Sequence, residues 1–319
     1  GWAAGYGIIR GLVRSGDHIV MDMLSHTCLQ EGANAATRNV SQFRHNNLDH
    51  AREKLAAIRA KDTENGIMVI TEGLFSMDSD TPDIAALQDL CHEYGATLVV
   101  DVAHDFGALG EDGTGHIGMQ GMLGKVDLVM GSFSKPFASN GGFVACHSRA
   151  VKEYLRFYSP TTTFSNALSP IQAAVILGAL DIVESEEGAM RRKRLLDNSL
   201  RLRAGLEEAG FEVLGKPSAV VPMLIGDVLL ARLMTRYAVE YGGIVNLVEH
   251  PAVARNACRW RLQVMADHTE AQIDALVEIA IRLREMAEMH CDWLSANDNV
   301  EVDVVDLPLM PAIHSAAAE

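Results

Sequence analysis

Lys135 closes the run Asp127-Leu128-Val129-Met130-Gly131-Ser132-Phe133-Ser134, in which an apolar segment passes into a small, hydroxyl-rich loop. Pro136 and the pair Gly141-Gly142 follow. A lysine at the end of a buried strand gives up its proton more readily than a solvated one, because desolvation disfavours the ammonium form. The neutral amine forms Schiff bases with aldehydes. A second apolar run, Val99-Val100, ends in Asp101, with His104 three residues on. Burying that carboxylate is costly unless it meets a cation. A strand-end lysine for an aldehyde and a strand-end aspartate for a pyridinium nitrogen fit one cofactor, pyridoxal 5'-phosphate.

Other stretches carry weaker signals. Gly1-Trp2-Ala3 opens a helical pattern, and the free amides of a helix start can hold a phosphate. Ser25-His26-Thr27 sits at a strand-to-helix turn, where the imidazole either stacks on an aromatic cofactor or caps the helix. Thr71-Glu72-Gly73 and Phe75-Ser76-Met77-Asp78 lie at the mouth of a strand, where open α/β sheets bind ligands. The same residues also suit an ordinary turn. Arg259 alternates with Trp260 and Arg261 on a strand. One or both arginines are therefore candidates for carboxylate binding or are merely surface residues.

The elements that must position these residues alternate. Over residues 1–150, helical patterns at 2–14, 26–36, 48–60 and 83–94 separate short apolar runs at 18–22, 42–44, 67–71, 97–101, 126–131 and 143–146. This is the pattern of βα units on a mostly parallel sheet. Runs without polar alternation indicate strands buried on both faces. Residues 170–210 read as helix interrupted near Gly188. Residues 211–290 read as a smaller α+β layer with strands at 211–214, 220–225 and 259–265 and helices at 229–241 and 270–289. The expected organisation is a large cofactor-binding domain at 1–168, a helical spine at 169–210, a small domain at 211–290 and an extension at 291–319.

The chain has 319 residues, 48% hydrophobic and 22% charged, which suits a globular protein with a large core. A net charge of −15 leaves no basic stripe for nucleic acid. Cys28, Cys91, Cys146, Cys258 and Cys291 are scattered and show no metal-ligand spacing, so we expect no metal and a reducing, cytoplasmic setting. No apolar run reaches membrane-spanning length. The abrupt start at Gly1 reads as a fragment or a processed chain.

Five strings together resemble the α-oxoamine synthases, a family of fold-type-I pyridoxal-phosphate enzymes. They are Leu24-Ser25-His26; Thr71-Glu72-Gly73 with Phe75-Ser76-Met77-Asp78; Asp101 with Ala103-His104; Gly131-Ser132-Phe133-Ser134-Lys135; and Arg259 ahead of Ala266-Asp267-His268-Thr269. Their order and spacing hold over residues 1–285. The resemblance implies a mostly parallel sheet with flanking helices, a small α+β carboxyl-terminal domain, and a missing segment ahead of Gly1. It implies that Lys135 carries pyridoxal 5'-phosphate and moves the substrate's α-proton. Asp101 would hold the ring nitrogen protonated, His26 would stack on the ring, and His104 and Ser76 would meet the phenolic oxygen side. Ser132, Ser134 and the amides of Gly1, Trp2 and Ala3 would surround the phosphate, and Arg259 would take the substrate carboxylate. Ser165 and Asn166 stand where the family lends a hydroxyl to the neighbouring subunit's phosphate, which implies a homodimer with the site at its interface.

The implied activity joins an amino acid (serine, alanine or glycine) to an acyl thioester, acyl-CoA or acyl carrier protein, with loss of CO₂, giving an α-amino ketone. Members serve sphingolipid or biotin biosynthesis. The serine palmitoyltransferase type is favoured, with 8-amino-7-oxononanoate synthase and 2-amino-3-ketobutyrate ligase as alternatives. An aminotransferase and a non-catalytic partner subunit are the readings outside that chemistry. Val102, Asp105, Pro136 and Asn166 depart from the family pattern.

Overall fold

A computed structural model describes residues 1–296, and the acidic and Pro/Ala-rich stretch at 297–319 lies outside the described residues. In chain order the elements are α1 (Trp2–Leu12), β1 (His18–Asp22), α2 (Thr27–Ala36), β2 (Val40–Phe43), α3 (Leu48–Arg59), β3 (Ile67–Glu72), α4 (Ile84–Glu93) and β4 (Thr97–Asp101). Then come α5 (Gly115–Met119), β5 (Leu128–Ser132), β6 (Gly142–Cys146), α6 (Arg149–Tyr158), α7 (Pro160–Thr163), α8 (Pro170–Val183) and α9 (Glu186–Glu208). The chain continues with β7 (Glu212–Val213), β8 (Val220–Gly226), α10 (Val228–Glu240), β9 (Leu247–Val248), β10 (Cys258–Gln263) and α11 (Glu270–Ala296).

The first six strands form one sheet in the order β2-β1-β3-β4-β5-β6. All neighbours are parallel except β6, which runs antiparallel to β5. Successive side chains feed two cores. Val20, Val69, Leu98 and Val100 pack with Leu55 of α3 and Leu87 and Leu90 of α4 on one face. Ile19, Met21, Ile70, Val99 and Met130 pack with Ile8 and Ile9 of α1 and Leu29 of α2 on the other. Both faces are dry, which is why these strands read as unbroken apolar runs. Chain direction across the sheet reverses between β1 and β3, so a crevice opens there at the carboxyl ends of the strands. Asp22, Glu72, Asp101 and Ser132 are the last residues of β1, β3, β4 and β5.

The chain divides into two units, Gly1–Leu195 and the residues from Leu196 onward, with the division inside α9. The second unit holds a four-stranded sheet in the order β7-β8-β10-β9, with α10 and α11. Several boundaries differ from the expectation. The helical break falls at Glu184-Ser185, and Gly188 lies within α9, where a side chain would strike the carbonyls of Ile182 and Val183 at the end of α8. The last helix runs on through Cys291 to Ala296, because no glycine or proline stops it. The short helices α5 and α7 and the two-residue strand β9 carried too few residues to show a period, whereas the ten-residue α6 was not read although its pattern is amphipathic. Among the described residues no helix is long and apolar enough to cross a membrane.

Candidate active site

The strand ends place most of the expected residues around one cavity of about 230 Å³. Lys135, Asp101, His26, His104, Ser132, Ser134, Gly1 and Trp2 all line it. A larger cavity, about 460 Å³, lies beside Asp17, Ile67 and Thr97 at the opposite, amino-terminal strand ends, away from the crevice where such sheets place their chemistry.

Asp101 is buried at the tip of β4, and its Oδ1 accepts the Ala103 N–H at 2.8 Å. Burial pushes its pKa up to about 6; the Ala103 hydrogen bond and the charge of Lys135 hold the rise back. The ring of His26 caps α2, with Nδ1 accepting the Cys28 N–H at 3.2 Å. Desolvation, followed by the charge of Lys135, lowers the His26 pKa. The ring is therefore neutral near pH 7, with its proton on Nε2. The stacking and capping readings of His26 are thus compatible: one nitrogen caps the helix while the ring lines the cavity.

Lys135 departs from the desolvation argument. It is exposed, because β5 ends at Ser132 and the following Phe133-Ser134 lifts the lysine to the mouth of the cavity. Pro136 is exposed beside it, and the loop is held from below by fully buried Phe137, stacked on Phe106 with ring centroids 5.1 Å apart. The Ser132 and Ser134 hydroxyls lie 2.7 Å apart, and Ser132 Oγ also accepts the Ser134 N–H. Gly1 packs so closely on this pair that a Cβ there would stand 2.6 Å from Ser132 Oγ. The first-turn amides of α1, at Trp2 and Ala3, have no intrahelical acceptor by helix geometry.

Not every expected residue reaches the cavity wall. Ala3 is exposed in the first turn of α1, Ser76 lies in the loop after β3, and Ser165 and Asn166 are exposed between α7 and α8. Arg259 lies in the second unit on β10, an interior strand, and both it and Arg261 are buried rather than surface residues. The departures Val102 and Asp105 are structural. Val102 belongs to a core. Asp105 is fully buried, accepts the His116 N–H at 2.7 Å and sits tight against Gly73 and Gly115. Burial pushes its pKa to about 7.

Glu72, expected at the mouth of a strand but assigned no role there, is a cavity-lining residue. It is 2% exposed, lies directly across from Asp101 in the β3–β4 register, and accepts the His26 N–H at 2.6 Å. Desolvation, then the adjacent Asp101, raises its pKa well above the ordinary range. Its visible signal was position: a carboxylate one residue beyond the assigned end of β3. An acid with a raised folded pKa costs stability as pH climbs from the ordinary carboxylate range through the folded value. We predict that Glu72→Gln, which keeps an acceptor for His26, raises the melting temperature of the cofactor-free protein by a few degrees at pH 8 and by less at pH 5. An equal change at both pH values would contradict a Glu72 whose pKa is raised by burial.

These groups fit pyridoxal phosphate. A primary amine stands at the mouth, two buried acids line the cavity beneath it, and a hydroxyl pair meets a helix start across a glycine with no room for a side chain. Residues 2–279 match the model of aminotransferase class I and II. The chain belongs to that family. It is 35% identical over 277 residues to the 8-amino-7-oxononanoate synthase of Geotalea daltonii, covering 87% of this chain and 70% of the relative. It is 33% identical over 289 residues to the serine palmitoyltransferase of Sphingobacterium spiritivorum, covering 91% and 71%. Among solved structures, a serine palmitoyltransferase variant from S. paucimobilis with PLP and myriocin bound superposes with a TM-score of 0.85 at 26% identity, covering 90% of this chain and 71% of that one. The family member is a fold-type-I, pyridoxal-phosphate-dependent enzyme, as the sequence strings implied.

Proposed function

We propose that this enzyme condenses an amino acid with an acyl thioester, releasing CO₂ and the thiol and forming an α-amino ketone. The observation that carries the reading is the convergence of Lys135, Asp101, Glu72 and His26 on one strand-end cavity, in a chain similar to two kinds of acyl-condensing synthase. When bound, pyridoxal phosphate supplies an aldehyde for the amine and a ring that accepts the electron pair left at Cα. The protein's own groups do the rest. Lys135 Nζ holds the cofactor and then takes the α-proton of the amino acid. The Asp101 carboxylate would keep a proton on the ring nitrogen, with Glu72 beside it fixing the backbone of His26. The neutral His26 ring would stack on the cofactor. His104 donates to the thioester carbonyl oxygen as negative charge develops there. Ser132, Ser134 and the start of α1 would receive the phosphate, and Ser76 would meet the phenolic side; on β10 of the second unit, Arg259 offers a guanidinium fork suited to a carboxylate.

The serine palmitoyltransferase type is favoured by the TM-score of 0.85 to that enzyme, against 0.71 to an 8-amino-7-oxononanoate synthase at 21% identity. The second reading, an 8-amino-7-oxononanoate synthase, is favoured by sequence identity of 35%. Titrating the cofactor-loaded protein with serine, alanine and glycine, then adding acyl-CoA of graded length, separates them. Serine-dependent thiol release with long chains supports the first, and alanine dependence the second. Amino-group exchange without thioester consumption would reject both.

The working form we propose is a cytoplasmic homodimer. Phe157, Tyr158, Phe164, Ile171 and Leu177, on and between α6 and α8, are between 63% and 88% exposed. A second copy is the occupant that matches an apolar segment carrying Ser165 and Asn166. Light scattering is expected to give twice the chain mass, and Phe164→Asp with Ile171→Asp to give the monomer. A wild-type monomer at assay concentration would remove the shared-site role of Ser165 and Asn166.

A further inference from the structure

His45 is held between two carboxylates. Its Nδ1 is 2.9 Å from Asp22 Oδ1, and its Nε2 is 2.8 Å from Asp80 Oδ2. A neutral imidazole carries one N–H, so one of these contacts would set lone pair against lone pair; with both nitrogens protonated, each donates to a carboxylate. Asp22 is fully buried and Asp80 about a quarter exposed. These are the two charged groups that face the ring; its remaining close neighbours are the Phe75 ring, edge-on at 4.5 Å, and Asn46. Burial alone would lower the imidazole pKa, but the two carboxylates overcome it and raise it to about 10.

The three partners come from three different loops. Asp22 ends β1 and also accepts the Leu24 N–H, while its carbonyl accepts Ser25 N–H, so it shapes the turn that leads to His26. Asn46, at φ +50°, turns its N–H onto Asp22 Oδ2 and its side-chain amide onto Asp80 Oδ2. Asp80 closes the loop after β3: its carbonyl accepts the Phe75 N–H, next to Ser76. We propose that His45 is a positioning residue, a permanently charged imidazolium that clamps the loops after β1, β2 and β3 and so fixes His26 and Ser76 at the cofactor site. The effect on the site rests on the function proposed above; the clamp itself does not.

The clamp's stability is present below the ordinary imidazole pKa and is lost as pH rises through about 10. Nitrogen-15 NMR of the histidine rings in the cofactor-loaded chain tests it. His45 is expected to stay doubly protonated through pH 9, and Asp80→Asn to move its midpoint down by about 1 to 3 pH units. A wild-type midpoint near the ordinary value of about 6.5 would overturn the clamp. Positioning is read from His45→Gln, which keeps a single donor. We expect a folded protein whose visible dichroism at the bound cofactor changes and whose kcat falls about 10- to 100-fold, with KM moving less. Unchanged dichroism and kcat in a folded His45→Gln would overturn the positioning role. If that variant does not fold, dichroism and kcat of Asp80→Asn decide instead. A wild-type chain that binds no pyridoxal phosphate refutes the proposed function, while the His45 titration of the unloaded chain still decides the clamp.

Discussion

Lys135→Ala is expected to bind pyridoxal phosphate without covalent attachment and to lose at least about 10³-fold in condensation rate. The loss is large because one side chain performs two tasks, holding the cofactor aldehyde and moving the α-proton. Borohydride reduction of the loaded wild type, followed by peptide mass spectrometry, is expected to place the modification on Lys135. Its exposure makes this a clean substitution: removing an exposed side chain leaves no cavity in the core. A variant with the wild-type rate, or a reduced adduct on another lysine, would contradict the assignment. The neighbours already record the amine's charge, since Lys135 lowers the pKa of His26 after burial has done so.

Asp101→Asn has the second-largest expected effect. Asparagine keeps the acceptor for the Ala103 N–H but cannot stabilise a protonated ring nitrogen. The electron sink is thereby weakened, and we expect kcat to fall about 10²- to 10⁴-fold with amino-acid binding little changed. The fold should gain rather than lose stability above pH 6 without cofactor. Burial raises the Asp101 pKa, so the charged form is unfavourable in the folded chain, and that cost grows as pH rises past the ordinary carboxylate range. Activity within tenfold of wild type would show that Asp101 does not face the ring nitrogen.

How much of this was legible in the chain depends on what each signal was made of. The parallel sheet was readable because both of its faces are buried, which turns strands such as Ile67–Glu72 into unbroken apolar runs. The candidate site strings were readable because they sit at the carboxyl ends of those strands. Lys135 was placed correctly beside the cavity yet wrongly desolvated, because the length of the Phe133-Ser134 loop sets exposure and strand hydrophobicity does not. Arg259 and Arg261 looked like surface residues because alternation with Trp260 imitates a half-exposed strand. All three are buried in the second unit, so both faces of β10 are covered. Glu72 was hidden in a turn-like Thr-Glu-Gly string, and only the register with Asp101 shows it as half of an acid pair. The Asp22–His45–Asp80 cluster joins residues up to 58 positions apart through three loops, and no local pattern reports such a meeting.

The central claim is the decarboxylative condensation. The direct measurement follows carboxyl-labelled serine with the cofactor-loaded enzyme and a long-chain acyl-CoA, counting CO₂ and free thiol together. Equal amounts of both are expected, each requiring the other substrate and each lost in Lys135→Ala. Keto acid formed from serine with neither CO₂ nor thiol released would contradict it.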